Sequence, residues 1–593
     1  MRLTTLVAAG LGLSAMTAAP VAAQLRANRP PPQQQNLPRL LVANPYSFAA
    51  QDSSASVRVG HGMREQVSGV ADRWYRTVTR IQMNEALQQY AYPIDAVLPP
   101  LVARTLATTL TARAIIVSTL VRGEAGRFSV EARLTGISDD AGQVVRLSQN
   151  PNESFEDFGK RVADAMTPAF RALPDARACE SQRGSLVDKA IESAVKALRV
   201  LPTSGLAHYC LAQIQIAKKG PPDSIVAHLK LATQGDPVSL PVWTALAIQH
   251  QAKGDSNQTV ETFKQMLRVA PTNEALRKEA FGLFQRYGRP DAAEEVADEG
   301  IKLDSVNADM WDLKFGACIA QGTTEKNRCA IEAIEQVFRL DTTKADTTFY
   351  TKATFAASRP SLQVKLTIDS AGTKLTRDTV VVDSVRFLKW ARMGADKYPA
   401  NVYLLSQLAE SYSLAGPVDS AVEVTKRLMA ADSSDVGPVL RVILKLANAK
   451  RLTDAMALAP YIERLGSTDD KGTLASILVQ GAFATMTSPD WPTLTEAGRK
   501  IIGLAQPGSR NVVYGNYLLG VSLFQHMADL DKKHIDEKTL SCEVGQQLRA
   551  MHFEAGPALE AGRSVQEAFV AQRIGVMDQF GKHIDAVIKQ YCK

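Results

Sequence analysis

Between Leu240 and Asn307 the apolar residues recur at helical spacing, and the pattern then repeats as a block. Trp243, Leu246 with Ala247, and His250 fall at intervals of three or four, which is one face of a helix. Thr259 and Phe263, four apart, mark the second helix of the hairpin before Pro271 closes the block. The next block keeps Gly288 at the turn and Ala293 at the start of its second helix, without the opening Trp or the closing Pro. Trp311 falls two 34-residue periods after Trp243. The pattern predicts tandem helical hairpins. Each has an apolar face that it cannot bury alone, so neighbours stack and share one core.

The first part of the chain follows another rhythm. Leu40 to Ala43 predicts a short buried strand, and Val57, Met63, Val67 and Val70 mark one face of a helix after it. Tyr75 to Thr79 predicts a second strand, and two short helices follow over Gln82–Tyr90 and Pro99–Leu110. Ala114–Val121, Phe128–Leu134 and Val144–Leu147 then read as a meander, with turns at Gly123–Gly126 and Asp139–Gly142. A helix from Phe155 to Phe170 closes the unit.

Past Pro174 the helical period takes over. Ala190, Ala194, Ala197 and Pro202 mark the second helix of a first hairpin, and the next hairpin runs from Ser204 to about Val238. Ala308–Leu340 keeps Trp311 and Gly322. A hairpin from near Ala345 is interrupted over Arg359–Val382 by an inserted loop or β-hairpin. Register returns with Leu405-x2-Leu408-Ala409-x2-Tyr412, and a further unit spans Val439–Leu465. Leu474–Lys593 is helical with looser register, and its last amphipathic helix, Val565–Tyr591, is expected to cap the array. In all, about eight or nine hairpins are expected.

The block beginning at Trp243 resembles the tetratricopeptide repeat, with His250 and Thr259 standing where that family prefers Tyr and Ala. The strand–helix order of residues 39–173 resembles the TolB amino-terminal-like domain. Leu40–Ala43, Ala114-x-Ile116-Val117-x-Thr119 to Arg122, and Phe128–Leu134 before Gly142 carry the likeness. Together they imply a mainly α chain, a tetratricopeptide-type α-solenoid preceded by a small α/β domain. The expected divisions are a signal peptide 1–23, a Pro/Gln-rich linker 24–38, the α/β domain 39–173 and a repeat array 174–358. An insertion 359–382, a repeat-like array 383–560 and a C-terminal capping helix 561–593 follow.

The repeat resemblance also implies a protein-binding groove lined by first-helix residues. Carried over, these are Tyr209, Gln213, Thr244, Ile248, Gln251, Lys278, Gln285, Asp312, Ile319, Tyr403, Ser406 and Glu410. They form no cluster of Lys, Arg and Asn that would clamp a peptide carboxylate, so an extended or helical protein segment is the expected partner. Each position reads equally well as plain solvent-facing surface.

Composition narrows the picture. Apolar content is 45% and charged content 22%, ordinary for a globular protein. A net charge of +7 spread over 593 residues argues against a nucleic-acid partner, which needs Lys and Arg gathered on one face. Arg2, the apolar Leu6–Met16 and the small residues Val21-Ala22-Ala23 predict a signal peptide cleaved after Ala23 and a periplasmic or secreted protein, with no later span long enough to cross a bilayer. Six cysteines, an even number, suit export. Repeat geometry pairs Cys318 with Cys329 across a hairpin turn, Cys179 with Cys210 on the first helices of neighbouring repeats, and Cys542 with Cys592 at the outer ends of the last helices. Buried free thiols are the alternative.

No catalytic set stands out. Gly60-His61-Gly62 lacks the rest of a phosphate loop, and the carboxylate pairs Asp469-Asp470 and Glu294-Glu295 point apart on a helix. Closely spaced Cys/His ligands are missing, so neither a cofactor nor a metal is expected. The reading is an exported scaffold without catalysis of its own, and the resemblance to the TolB amino-terminal-like domain implies that it works at a bacterial cell envelope. The alternative is an α/β domain that binds a ligand or envelope component and is displayed on the solenoid. A pocket with several convergent polar groups in residues 39–173 would favour it.

Overall fold

The computed structural model describes residues 37–123, 126–370, 373–431 and 434–592. The expected signal peptide and nearly all of the expected linker lie outside them. The fold is mainly α, a series of helical hairpins preceded by a small α/β domain, as the sequence predicts. Two compact units divide between Ala280 and Phe281.

The first unit opens with a sheet of β1 (Arg39–Val42), β2 (Tyr46–Ser47), β3 (Arg76–Thr77), β4 (Ala112–Arg122), β5 (Phe128–Gly136) and β6 (Gln143–Ser148). The order is β3-β1-β4-β5-β6, and β2 also pairs with β4. β1 is parallel to β3 and β4, whereas β4, β5 and β6 are antiparallel. Strand β2 is not apparent in the pattern. Past Asn44-Pro45 the chain resumes beside the longer β4, at Thr119 and Leu120.

Alternation along β1 divides the core. Leu41 and Ala43 pack with Ile115 under α2 (Arg80–Gln89) and α3 (Pro100–Thr109). Leu40 and Val42 face the other way with Ile116, under α1 (Ser53–Val70) and α4 (Phe155–Ala165). The expected helix Phe155–Phe170 turns at Met166, which ends α4 and precedes α5 (Thr167–Gln182).

Helices α5 and α6 (Val187–Val200), α7 (Gly205–Ala217) and α8 (Pro222–Gly235), then α9 (Leu240–Ala252) and α10 (Ser256–Val269) form successive packed pairs. Helix α11 (Glu274–Arg286) crosses the division between the units. α9, α11 and α13 (Ala308–Gln321) start 34 residues apart, and so do α10, α12 (Pro290–Leu303) and α14 (Thr324–Leu340). Gly254, Gly288 and Gly322 keep the same interval at the turns, each with a left-handed φ of 65–70° that a side chain would oppose.

In the second unit, α12 packs on α13 and α13 on α14, and α15 (Thr347–Ala357) packs on α16 (Ser384–Lys397). An antiparallel hairpin, β7 (Pro360–Ser370) and β8 (Thr373–Val382), stands between α15 and α16 in sequence and packs on α14. Then come α17 (Val402–Leu414), α18 (Val418–Ala430), α19 (Gly437–Asn448), α20 (Leu452–Leu465) and α21 (Thr468–Thr485), followed by α22 (Trp491–Leu504), α23 (Arg510–Asp536), α24 (Cys542–Gly562) and α25 (Glu567–Tyr591). One apolar core runs from Phe315 to Ile584.

All six cysteines are bonded in the expected pairs. Cys179–Cys210 joins α5 to α7, Cys318–Cys329 joins α13 to α14, and Cys542–Cys592 ties the start of α24 to the end of α25. Among the described residues no helix is long and apolar enough to cross a membrane.

Candidate functional site

The first helices of four hairpins are held by one recurring bond. A side-chain N–H donates to the carbonyl of the residue six places earlier, in the preceding turn. His208 Nε2 meets Pro202 O at 2.9 Å, and Trp243 Nε1 meets Pro237 O at 2.8 Å. Arg277 Nη2 meets Pro271 O at 2.7 Å, and Trp311 Nε1 meets Ser305 O at 3.0 Å. The repeat pattern expects an aromatic ring at this position, and the α11 block lacks it. Arg277, only 3% exposed, supplies the same donor there. The signal is present in the sequence as a donor side chain six residues after each turn.

That tether sets which residues of a first helix face solvent. On α9 the buried Leu246, Ala247 and His250 alternate with the exposed Thr244, Ile248 and Gln251, spaced four and three apart on the opposite face. Lys278 on α11 and Tyr403 on α17 are also exposed. Gln213, Gln285, Asp312, Ile319 and Glu410 are half-buried. Asp312 accepts from Lys352 Nζ at 2.8 Å, Glu410 pairs with Arg441 at 3.0 Å, and Ile319 packs against the core. Tyr209 and Ser406 are buried, and Ser406 donates to Asp435 at 3.3 Å. Burial raises the Tyr209 hydroxyl above the ordinary tyrosine value.

Two further cavities are bordered mainly by polar residues. One, of about 460 Å³ in the second unit, is lined by Glu294, Trp311, Lys314, Lys326 and Cys329. Burial pushes the Glu294 carboxyl up, but Lys326 at 2.6 Å and Gln321 at 2.7 Å outweigh it and hold the group below its ordinary value. Glu294, Cys318 and Cys329 are the one His/Cys/Asp/Glu group among the described residues close enough to hold a metal, but the two sulfurs are bonded to each other. The other cavity, of about 370 Å³, lies in the α/β domain. His61, Arg64 and Glu65 of α1 meet Thr77 of β3 there, with Val78 and with Arg80 of α2.

No family model matches this sequence, and no curated protein does. Solved structures similar to it include the Naa15/Naa10 complex bound to HypK-THB, at 12% identity over 70% of this chain and 68% of that one, with a TM-score of 0.36. Yeast Tom70 is similar at 12% identity over 71% and 96%, with a TM-score of 0.21. The P58(IPK) TPR domain is similar at 12% identity over 71% and 98%, with a TM-score of 0.18.

Proposed function

We propose that this protein is an exported scaffold whose helical hairpins hold protein partners at a bacterial cell envelope, without catalysis of its own. The partner is an extended or helical segment laid across first-helix faces. The signal peptide ending at Ala23, the TolB amino-terminal-like character of residues 39–173 and the repeat arrays 174–358 and 383–560 belong to the same reading. So do the insertion 359–382 and the cap 561–593.

The exposed stripe on α9 carries it. Ile248 is 54% exposed between the polar Thr244 and Gln251, on a helix whose other face is buried and whose start is tied down by Trp243. A fixed apolar residue between hydrogen-bonding side chains is what an amphipathic or extended segment docks on. Disulfides joining neighbouring helices suit an oxidising compartment.

The test is a photo-crosslinking residue placed at Ile248, compared with one at Val195 on α6, which is also exposed at 39%. In the envelope fraction the reading expects a discrete adduct from position 248 and none from 195. Equal labelling from both positions, or none from 248, overturns it.

A further inference from the structure

The polar cavity of the α/β domain holds a charge without a counterpart. Arg64 is only 6% exposed. Its Nη1 donates to Asn44 Oδ1 at 2.8 Å and to Val42 O at 3.2 Å, which fixes the guanidinium at the carboxyl end of β1. Gly60 permits this approach, because a Cβ there would overlap Asn44 Oδ1. The other edge of the guanidinium, Nε and Nη2, is buried and finds no hydrogen-bond partner among the described residues. Thr77 at the end of β3 lines the same cavity, and its Oγ1 is buried and unpartnered among the described residues too.

The neighbouring charges are already matched. Arg80 donates to Asp95 at 2.8 Å, and Glu65 pairs with Lys160 at 3.1 Å. Asp95 therefore attracts Arg64 only through space. Burial pulls the Arg64 pKa down to about 10, with Asp95 opposing the shift. A buried guanidinium edge without a partner carries a desolvation cost that a bound counter-charge offsets. The Nε–H and Nη2–H groups are parallel, the fork that two oxygens of one oxyanion fit. The cavity lies at the carboxyl ends of the parallel strands β1 and β3 and beside the start of α2, where an open α/β sheet receives ligands and a helix dipole favours anions.

We propose that this cavity binds an oxyanion, a carboxylate or phosphate group of a small ligand, on the Nε–Nη2 edge of Arg64 with the Thr77 hydroxyl as a further donor. This goes beyond the scaffold reading and stands if that reading fails. It gives the ligand-binding expectation for this domain a definite chemistry.

The probes are sodium acetate and inorganic phosphate, added to the full chain at an ionic strength held constant with sodium chloride. Tm is the readout, with hydrogen exchange over β3 and the start of α2 to place the effect. Acetate or phosphate is expected to raise Tm in a saturable way that chloride does not. Thr77→Val, which keeps the shape, is expected to weaken apparent affinity about fivefold, the loss of one hydrogen bond. Arg64→Met is expected to abolish the response. If Arg64→Met fails to fold, Thr77→Val decides alone. The stronger of the two anions identifies the group. No response beyond chloride overturns the proposal. A response that Thr77→Val leaves intact overturns it as well, by putting the anion elsewhere.

Discussion

His208 uses both ring nitrogens. The Pro202 carbonyl can only accept, so Nε2 carries the proton, and the neutral ring then accepts at Nδ1 from His228 Nδ1–H, 3.1 Å away. Burial holds both histidines below their ordinary value, and each would repel the other's charge. His250, buried with neither ring nitrogen partnered among the described residues, is lowered first by burial and then by Lys230. The folded state therefore binds fewer protons than the unfolded one. Stability contributed by these groups is intact above the unfolded pKa of about 6.5 and is lost as pH falls from there toward the lowered folded values. The urea midpoint should be lower near pH 5.5 than near pH 7.5, and His208→Gln with His228→Gln should flatten the difference. An unchanged pH slope in the double variant would exclude the pair. None of this was legible from the scattered histidines. His208 and His228 are 20 residues apart and meet only because α7 and α8 pack as a hairpin.

Elements were legible where period decided them. The 34-residue interval of helix starts from α9 to α14 follows from apolar spacing, and so do the strands at Leu40, Ala114 and Phe128. Close approaches were not, because a glycine in a helix looks like a weakness until its neighbour is known. Gly60-His61-Gly62 reads as a broken phosphate loop, yet it lies inside α1. A Cβ on Gly62 would overlap the Glu156 carbonyl oxygen of α4, and one on Gly159 of α4 would overlap the Val59 carbonyl oxygen of α1. The two helices cross backbone to backbone through mutual glycines. Gly62→Ala should gain slightly in helix propensity but lose more by forcing α1 and α4 apart, a net destabilisation of about 1–3 kcal/mol. Urea denaturation measures it. Gly69→Ala, also in α1 but with open space at its Cβ, should be neutral or stabilising. Equal effects at the two positions would show that propensity, not the crossing, sets the outcome.

At the scale of the first unit, sheet and hairpins share one interior. The core that begins at Leu40 under the sheet continues through Phe170, Ala194 and Leu229 to Leu246 in α9, and α5 runs unbroken through residues 173 and 174. Asp236, wholly buried at the end of α8, fastens the two parts. It accepts from Arg133 Nη2 of β5 at 2.7 Å and from the Gly142 N–H before β6 at 2.6 Å. Ser239 Oγ adds a bond to Asp140 O at 2.6 Å. Breaking a buried pair on one side leaves the other charge uncompensated. Asp236→Ala should therefore cost about 3–5 kcal/mol, and Asp236→Asn less, since the amide oxygen still accepts. Because the core is continuous, the loss should not stay local. Amides of β5 and β6 and those of α7 to α9 should lose hydrogen-exchange protection together, as one cooperative body. If only the sheet opened while α7 to α9 kept their protection, the α/β domain would be a separate bead, and removing it would leave the repeats intact. One shared transition would instead mean that deleting residues 39–173 strips the hairpins of their floor. The partners of the repeats must then be sought with point changes such as those at Ile248, not by truncation.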